Sequence, residues 1–189
     1  MRALVEAAAV PDYPAQIALV LSNRADAEGL AYAKAKGIAT AAVDHKIYAG
    51  RDEFEAVIER LLALHRIELI CLAGFMRLLT PSFVGRWSGR MINIHPSLLP
   101  AYRGLHTHER ALADGVREHG CSVHFVVPEV DAGPIIAQAT VPVLAGDDVD
   151  ALAARVLTEE HRLYPQALRR VAEGAVRIGS PTLPGACRT

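Results

Sequence analysis

Three polar residues carry the chemistry open to this sequence. His95 ends the run MINIH, precedes a proline and opens the segment PSLLPAYRGLH. Imidazole is the side chain best matched to proton transfer near neutral pH. Asn93 stands two residues earlier, and strand alternation points it to the same side as His95. An amide donor and an imidazole on one face can together hold a developing oxyanion. Asp131 lies in the loop VPEVDAG, where glycine permits close backbone approach. A carboxylate brought against the imidazole would favour its protonated form. On spacing alone, the same residues also read as a structural hydrogen-bonding pair at a strand end and an ordinary turn aspartate.

Positioning these groups takes a scaffold, and the pattern supplies one. Apolar runs at 16–22, 38–43, 69–74 and 91–95 read as strands. Amphipathic stretches at 26–36 and 51–66 read as helices, and Pro81 opens a short one over 81–88. The strand at 69–74 is apolar on both faces, as in a parallel sheet covered by helices. Residues 96–106 form a loop, followed by a helix at about 107–115. CSVHFVV and PIIAQATVPV read as two strands, antiparallel neighbours around a PEVDAGP loop. A long helix at about 148–173, a short strand at 174–178 and an irregular tail from Gly179 complete the chain. The alternation predicts a doubly wound, mostly parallel α/β sheet with antiparallel strands in the C-terminal part. Ligands in such sheets bind beyond the carboxyl ends of the strands. AGFMRLLTP, NIHPSLLP and the VPEVDAG loop are the ends in question, and a parallel sheet up to residue 95 puts the first two on one edge.

Composition narrows the function classes. The 189 residues suit one domain, 51% are hydrophobic and the formal net charge is −1. No basic excess exists to neutralise nucleic-acid phosphates, and no apolar run spans a bilayer. MRALVEAAAV lacks the marks of a signal peptide. Cys71, Cys121 and Cys187 are far apart and odd in number, so they read as reduced thiols. His106 and His108 on a loop and His124 on a strand fit no standard zinc spacing, and the reading is no metal. His45, His65 and His119 read as surface residues. The expectation is a soluble cytoplasmic domain with small-molecule partners and no nucleic acid or membrane. The sequence leaves oligomeric state open.

The strings AGFMRLLTPSFV, MINIHPSLLPAYRGLHTHERAL, GCSVHFVVPEVDAGPIIAQ and TEEHRLYPQAL together resemble the phosphoribosylglycinamide formyltransferases, in order and over nearly the whole chain. The N-x-H…D set is shared by the wider family, which includes methionyl-tRNA formyltransferase and formyltetrahydrofolate hydrolase. GLHTH and EEHRLYP look specific to the glycinamide ribonucleotide branch. The resemblance implies transfer of a formyl group from 10-formyltetrahydrofolate to the amine of 5'-phosphoribosylglycinamide in purine synthesis. It implies that Asn93 and His95 stabilise the oxyanion, and that Asp131 favours protonated His95 and orders a water for proton relay. It assigns folate binding to Arg51, Met76, Arg77, Leu78, Leu79, Asn93, Val127, Pro128, Glu129, Val130 and Asp131. It assigns ribonucleotide binding to Met1, Arg2, Pro96, Leu157, Thr158, Glu159 and Glu160. Leu157 replaces a polar residue of some relatives, which leaves only its backbone for a role. His124 supports the site by hydrogen bonding.

The family begins with a short apolar strand and a G-x-G-S-N loop that offers backbone donors to the ribonucleotide phosphate. Here MRALVEAA resembles the helix after that loop, with only Met1 and Arg2 near the phosphate position. The expectation is one formyltransferase domain over 1–189, N-terminally incomplete relative to the family, with strand edges and apolar surface exposed. Two explanations stay open: a misassigned or incomplete start, or a chain that binds folate without transferring formyl. Hydrolysis of formyltetrahydrofolate is a further alternative. It would call for an added regulatory domain.

Overall fold

The computed structural model describes residues 1–179. Helix α1 spans Arg2–Ala8, strand β1 Leu19–Ser22, helix α2 Glu28–Ala35, strand β2 Ala39–Ala42 and helix α3 Arg51–Leu64. Strand β3 (Ile70–Leu72), helix α4 (Pro81–Arg86), strand β4 (Met91–His95) and helix α5 (Thr107–Ala113) follow. The chain then runs through strands β5 (Glu118–Phe125) and β6 (Ile135–Pro142) into helix α6 (Val149–Ala172). Local chemistry sets several boundaries. Thr80 caps α4 by accepting from Phe83 N, and Pro81 occupies the first turn. Asp148 caps α6 in the same way, accepting from Ala151 N.

Strand alternation on β4 builds the two-sided packing. Met91 joins Phe54, Ile58 and Leu62 of α3 and Phe83 of α4. The next residue, Ile92, joins Leu152, Val156 and Leu163 of α6. Neighbouring residues of one strand thus face opposite helical layers, as a doubly wound sheet requires. Tyr164 on α6 fastens the layer, its hydroxyl 2.8 Å from Leu72 O and 3.1 Å from Ile92 O.

The strands form two sheets. β1 and β2 pair in parallel, and β3-β4-β5-β6 forms the second sheet, with β3 and β4 parallel and the remaining pairs antiparallel. The parallel edge and the antiparallel hairpin read from the sequence are both present. Among the described residues β1 pairs only with β2, and β3 only with β4. Between β1 and β3 lies a cavity of about 670 Å³, lined by Leu19 to Leu21, Ile70 to Leu72, Met1 and Leu4. Residues of β1 and β3 are therefore only half-buried, where the apolar run at 69–74 predicts burial on both faces.

Two expectations are corrected. Residues 174–178 form no strand: Gly174 turns at φ 71°, Ala175 N donates to Arg170 O, and Val176 folds back onto the α6 core. The apolar residues there read as a strand, but only Val176 is partly covered, Ala175 and Ile178 are exposed, and the backbone bonds close the helix end. His119 is not a surface residue. It is 1% exposed, since β5 is covered along nearly its whole length. The rest of the expected irregular tail lies outside the described residues.

Candidate functional site

The site begins with strand register. β4 and β5 set Asn93 opposite His124 and His95 opposite Ser122. Directly paired residues share a face, and so do residues two apart on one strand. Asn93, His95, Ser122 and His124 therefore present their side chains together, at the carboxyl end of β4 beside the end of β3. The bond partners agree: Asn93 Nδ2 lies 3.3 Å from His124 Nε2.

Asp131 reaches this face from the loop after β5. Its backbone is left-handed, φ 51°, a conformation that aspartate tolerates better than most residues and that clusters at functional sites. Its carboxylate accepts from Gly104 N at 2.9 Å. Oδ2 lies 3.4 Å from His95 Nδ1, and Oδ1 lies 3.6 Å from His124 Nε2. Burial alone would raise the Asp131 carboxyl. Its contacts with His124 and Gly104 N, with the charge of His95, outweigh burial and hold it below its ordinary value. His95 itself is 5% exposed, and its Nε2 lies 2.9 Å from Tyr102 O.

A network keeps the segment after His95 in place. Ser122 Oγ donates to Ser97 O, accepts from Leu99 N, and accepts from Gln138 Nε2. The same amide donates to Leu99 O. This set, buried at Ser97, Leu99 and Ser122 and exposed at Gln138, fixes the entry to the PSLLPAYRG loop and so the carbonyl that meets His95. Behind it, His108 and His119 stack edge-on with centroids 5.2 Å apart. Burial lowers both, His119 to about 4. Among the described residues, His108 Nδ1 and His119 Nε2 are buried without hydrogen-bond partners.

The residues assigned to the folate divide into two groups. Arg51, Arg77 and Leu78 line one cavity of about 210 Å³ with His45, Tyr48 and Phe54. Leu79 packs against the α3–α4 core. Met76, Leu78 and Val130 leave large apolar side chains exposed, Met76 at 73%. Val127 is half-buried, and Pro128 and Glu129 are exposed. Glu129 pairs with Arg103 at 3.1 Å. The loop ahead of α4 is held by buried Glu55, which accepts from Thr80 N at 2.6 Å and from the Thr80 hydroxyl.

Of the residues assigned to the ribonucleotide, the Met1 amine and Glu160 influence each other only through their charges. Burial lowers the Met1 amine, against the opposing charges of Cys71 and Glu160. Burial raises the Glu160 carboxyl, against the pull of that amine. Arg2 turns to α2, with its guanidinium 3.7 Å from Glu28 and 5.1 Å from the Tyr32 ring. Pro96 is half-buried at the start of the loop, and its carbonyl bonds His119. Leu157 and Thr158 are exposed, the Thr158 hydroxyl donating to Ala154 O. Glu159 pairs with Arg162 at 3.0 Å.

Sequence reasoning missed the Ser97–Ser122–Gln138 network and the buried His108–His119 pair. Ser122 and His124 stand two apart in an apolar strand, which is a usable signal. Only the register shows which β4 residues they face. Among the described residues, no group of three or more His, Cys, Asp or Glu side chains is arranged to hold a metal ion. No helix there is long and apolar enough to cross a membrane.

A family profile described as formyl transferase matches residues 1–168. Phosphoribosylglycinamide formyltransferase of Escherichia coli (strain K12) is 43% identical over 178 residues, covering 94% of this chain and 84% of that protein. The trifunctional purine biosynthetic protein adenosine-3 of Gallus gallus is 50% identical over 95% of this chain. The chain spans only 18% of the length of that relative. A crystal structure of phosphoribosylglycinamide formyltransferase from Brucella melitensis superimposes with a TM-score of 0.88, at 52% identity, covering 93% of this chain and 91% of that one.

Proposed function

The chain belongs to the formyl transferase family, and from that premise we propose that it transfers a formyl group from 10-formyltetrahydrofolate to the amine of 5'-phosphoribosylglycinamide. The observation that carries this reading is the meeting of Asn93, His95 and Asp131 on one sheet face, with Asp131 3.4 Å from His95. The relatives named as phosphoribosylglycinamide formyltransferases support the choice of substrates.

The amine nitrogen attacks the formyl carbon, and the carbonyl oxygen takes up negative charge. The Asn93 amide and His95 donate to that oxygen, which replaces the Tyr102 carbonyl at His95 Nε2. Donors already in place when charge develops lower the barrier most. The carbon–N10 bond then breaks, and the proton released by the attacking amine passes to N10, with Asp131 ordering the relay. Holding both substrates side by side supplies a further share of the rate. Arg51 and Arg77 beside Leu78 suit a flat ring with a carboxylate tail. Exposed Met76, Leu78 and Val130 gain most from covering by an apolar ring system. Glu160 would accept from the glycinamide portion. The reaction needs no metal, and the reading puts the chain in the cytoplasm.

The phosphate end of the ribonucleotide is assigned to the start of α1, at the end of the slot between β1 and β3. Among the described residues two strand edges without a partner face the cavity there, the arrangement that one further parallel strand would complete. A G-x-G-S-N turn after such a strand would lead into α1 and present backbone donors at its N-terminus. The test is formyl transfer by this chain alone and by the chain with that strand and turn joined ahead of Met1. Activity only in the extended form supports both the reaction and the slot. Activity in both would refute the phosphate assignment. Folate binding without transfer in either form would overturn the transferase in favour of a folate-binding module.

A further inference from the structure

His124 joins two of the residues assigned to the reaction, yet it touches neither substrate in the mechanism above. It is 2% exposed, and its position is built by irregular backbone. The β5–β6 register shifts between Val123 and His124, and such bulges re-aim side chains. Gly133 passes so close behind that a Cβ there would lie 1.7 Å from Phe125 O and 3.5 Å from His124 Nδ1. The ring therefore has little room to turn.

Its bonds define its tautomer. His124 Nδ1 lies 2.8 Å from Phe125 O, and a carbonyl accepts only from a protonated nitrogen. Nε2 faces Asn93 Nδ2 at 3.3 Å and Asp131 Oδ1 at 3.6 Å. The single charge of Asp131 thus faces two imidazoles, and two imidazolium rings would leave one buried charge uncompensated. The partners say which ring takes the second proton. His95 has an oxygen acceptor at each nitrogen, Asp131 and the Tyr102 carbonyl, so a doubly protonated ring satisfies both. His124 has an acceptor at Nδ1, and at Nε2 the Asn93 amide at 3.3 Å with the Asp131 carboxylate farther off at 3.6 Å. A neutral ring protonated on Nδ1 satisfies Phe125 O and the nearer amide, provided the amide presents its NH₂. The reversed amide would set its oxygen against the Nε2 lone pair.

We propose that His124 is a positioning residue, a neutral imidazole whose Nε2 fixes the Asn93 amide with its NH₂ toward the reacting formyl oxygen. The proposal rests on the formyl-transfer reading for its consequence, though not for its geometry. One Asn93 hydrogen bonds His124, and the other is left to meet the oxyanion.

Two substitutions separate this role from simple anchoring. His124→Gln places an amide oxygen near the lost Nε2 and can still accept from Asn93. His124→Asn reproduces the Nδ1 bond to Phe125 O and loses the bond to Asn93. The expected result is a kcat loss on the order of 10- to 100-fold in His124→Asn with both KM values nearly unchanged. His124→Gln should recover much of that loss. Equal kcat in the two variants, or a better His124→Asn, would overturn the proposal. Nitrogen-15 spectra of the imidazoles in the unsubstituted chain give a readout independent of turnover. They should show His124 protonated on Nδ1 alone, and the Asn93 side-chain amide signals should move in His124→Gln and His124→Asn. Protonation on Nε2 instead, or Asn93 signals that stay in place, would sink it even in a chain that transfers no formyl group. A chain that shows the tautomer but no transfer would instead count against the transferase reading.

Discussion

Replacing Gly133 by alanine should damage this protein far more than its size suggests. A Cβ at Gly133 would lie 1.7 Å from Phe125 O and 2.8 Å from Phe125 C. Both atoms are backbone, so no side chain can swing away. Reaching the roughly 3.3 Å of a close carbon–oxygen contact requires the loop and β5 to separate by about 1.6 Å. Two bonds cross that gap or depend on it: Phe125 N to Pro134 O at 2.9 Å and His124 Nδ1 to Phe125 O at 2.8 Å. Overpacking costs about 1–3 kcal/mol, and each lost bond adds about 0.5–1.5 kcal/mol. The sum is about 2–6 kcal/mol, or a fall in Tm on the order of 5–20 °C for a domain this size. Gly85→Ala is the matched control. Among the described residues nothing beyond the adjacent residues and backbone of its own helix lies within 4 Å of its added Cβ, and Gly85 sits within α4. It should stabilise by about 0.5–1 kcal/mol. Scanning calorimetry of both variants, with formyl transfer measured alongside, checks the sign and the size. A Gly133→Ala protein that melts within about 2 °C of its parent would refute the argument.

His95→Asn should lower turnover by orders of magnitude while folate binding, read by fluorescence titration, stays close to the parent value. Stability should fall on acidification from about pH 6.5 to about pH 4. Burial holds His119 down to about 4 from its ordinary 6.5, so in that window the unfolded chain binds a proton that the folded chain refuses. His108, lowered by the same cause, acts in the same direction. Urea midpoints across this range should decline less steeply in His119→Phe, and an unchanged slope would count against the assignment. Below that window, Asp131 contributes stability that disappears as pH falls through its lowered value. Asp148→Ala removes the acceptor for Ala151 N and should cost about 1 kcal/mol, seen as a fall of about 2–4 °C in Tm.

Local pattern carried most of the elements, because burial of one face imposes its period on the residues that form it. The apolar spacing of Phe54, Ile58 and Leu62 marks α3, and all three are in the core. The apolar run around Cys71 and the MINIH segment mark the parallel pair whose ends bear Asn93 and His95. The same rule misled at 174–178, where Val176 packs on the core without a strand partner and Ala175 and Ile178 stay exposed. It also misled at His119, a polar residue that a covered strand carries inside. Resemblance identified Asn93, His95 and Asp131 as a set, but a set of names has no geometry.

Tertiary structure decided how those residues meet. Asn93 and His124 are 31 residues apart and face each other only because the antiparallel register pairs them. A slip of one residue would turn either side chain to the opposite face. The approach of Asp131 depends on a left-handed loop residue and on Gly133 pressed against Phe125 O. Hydropathy follows burial along each segment and so is legible from the chain itself. Register, tautomer and amide orientation are set by partners from other segments, and they exist only once the chain has folded.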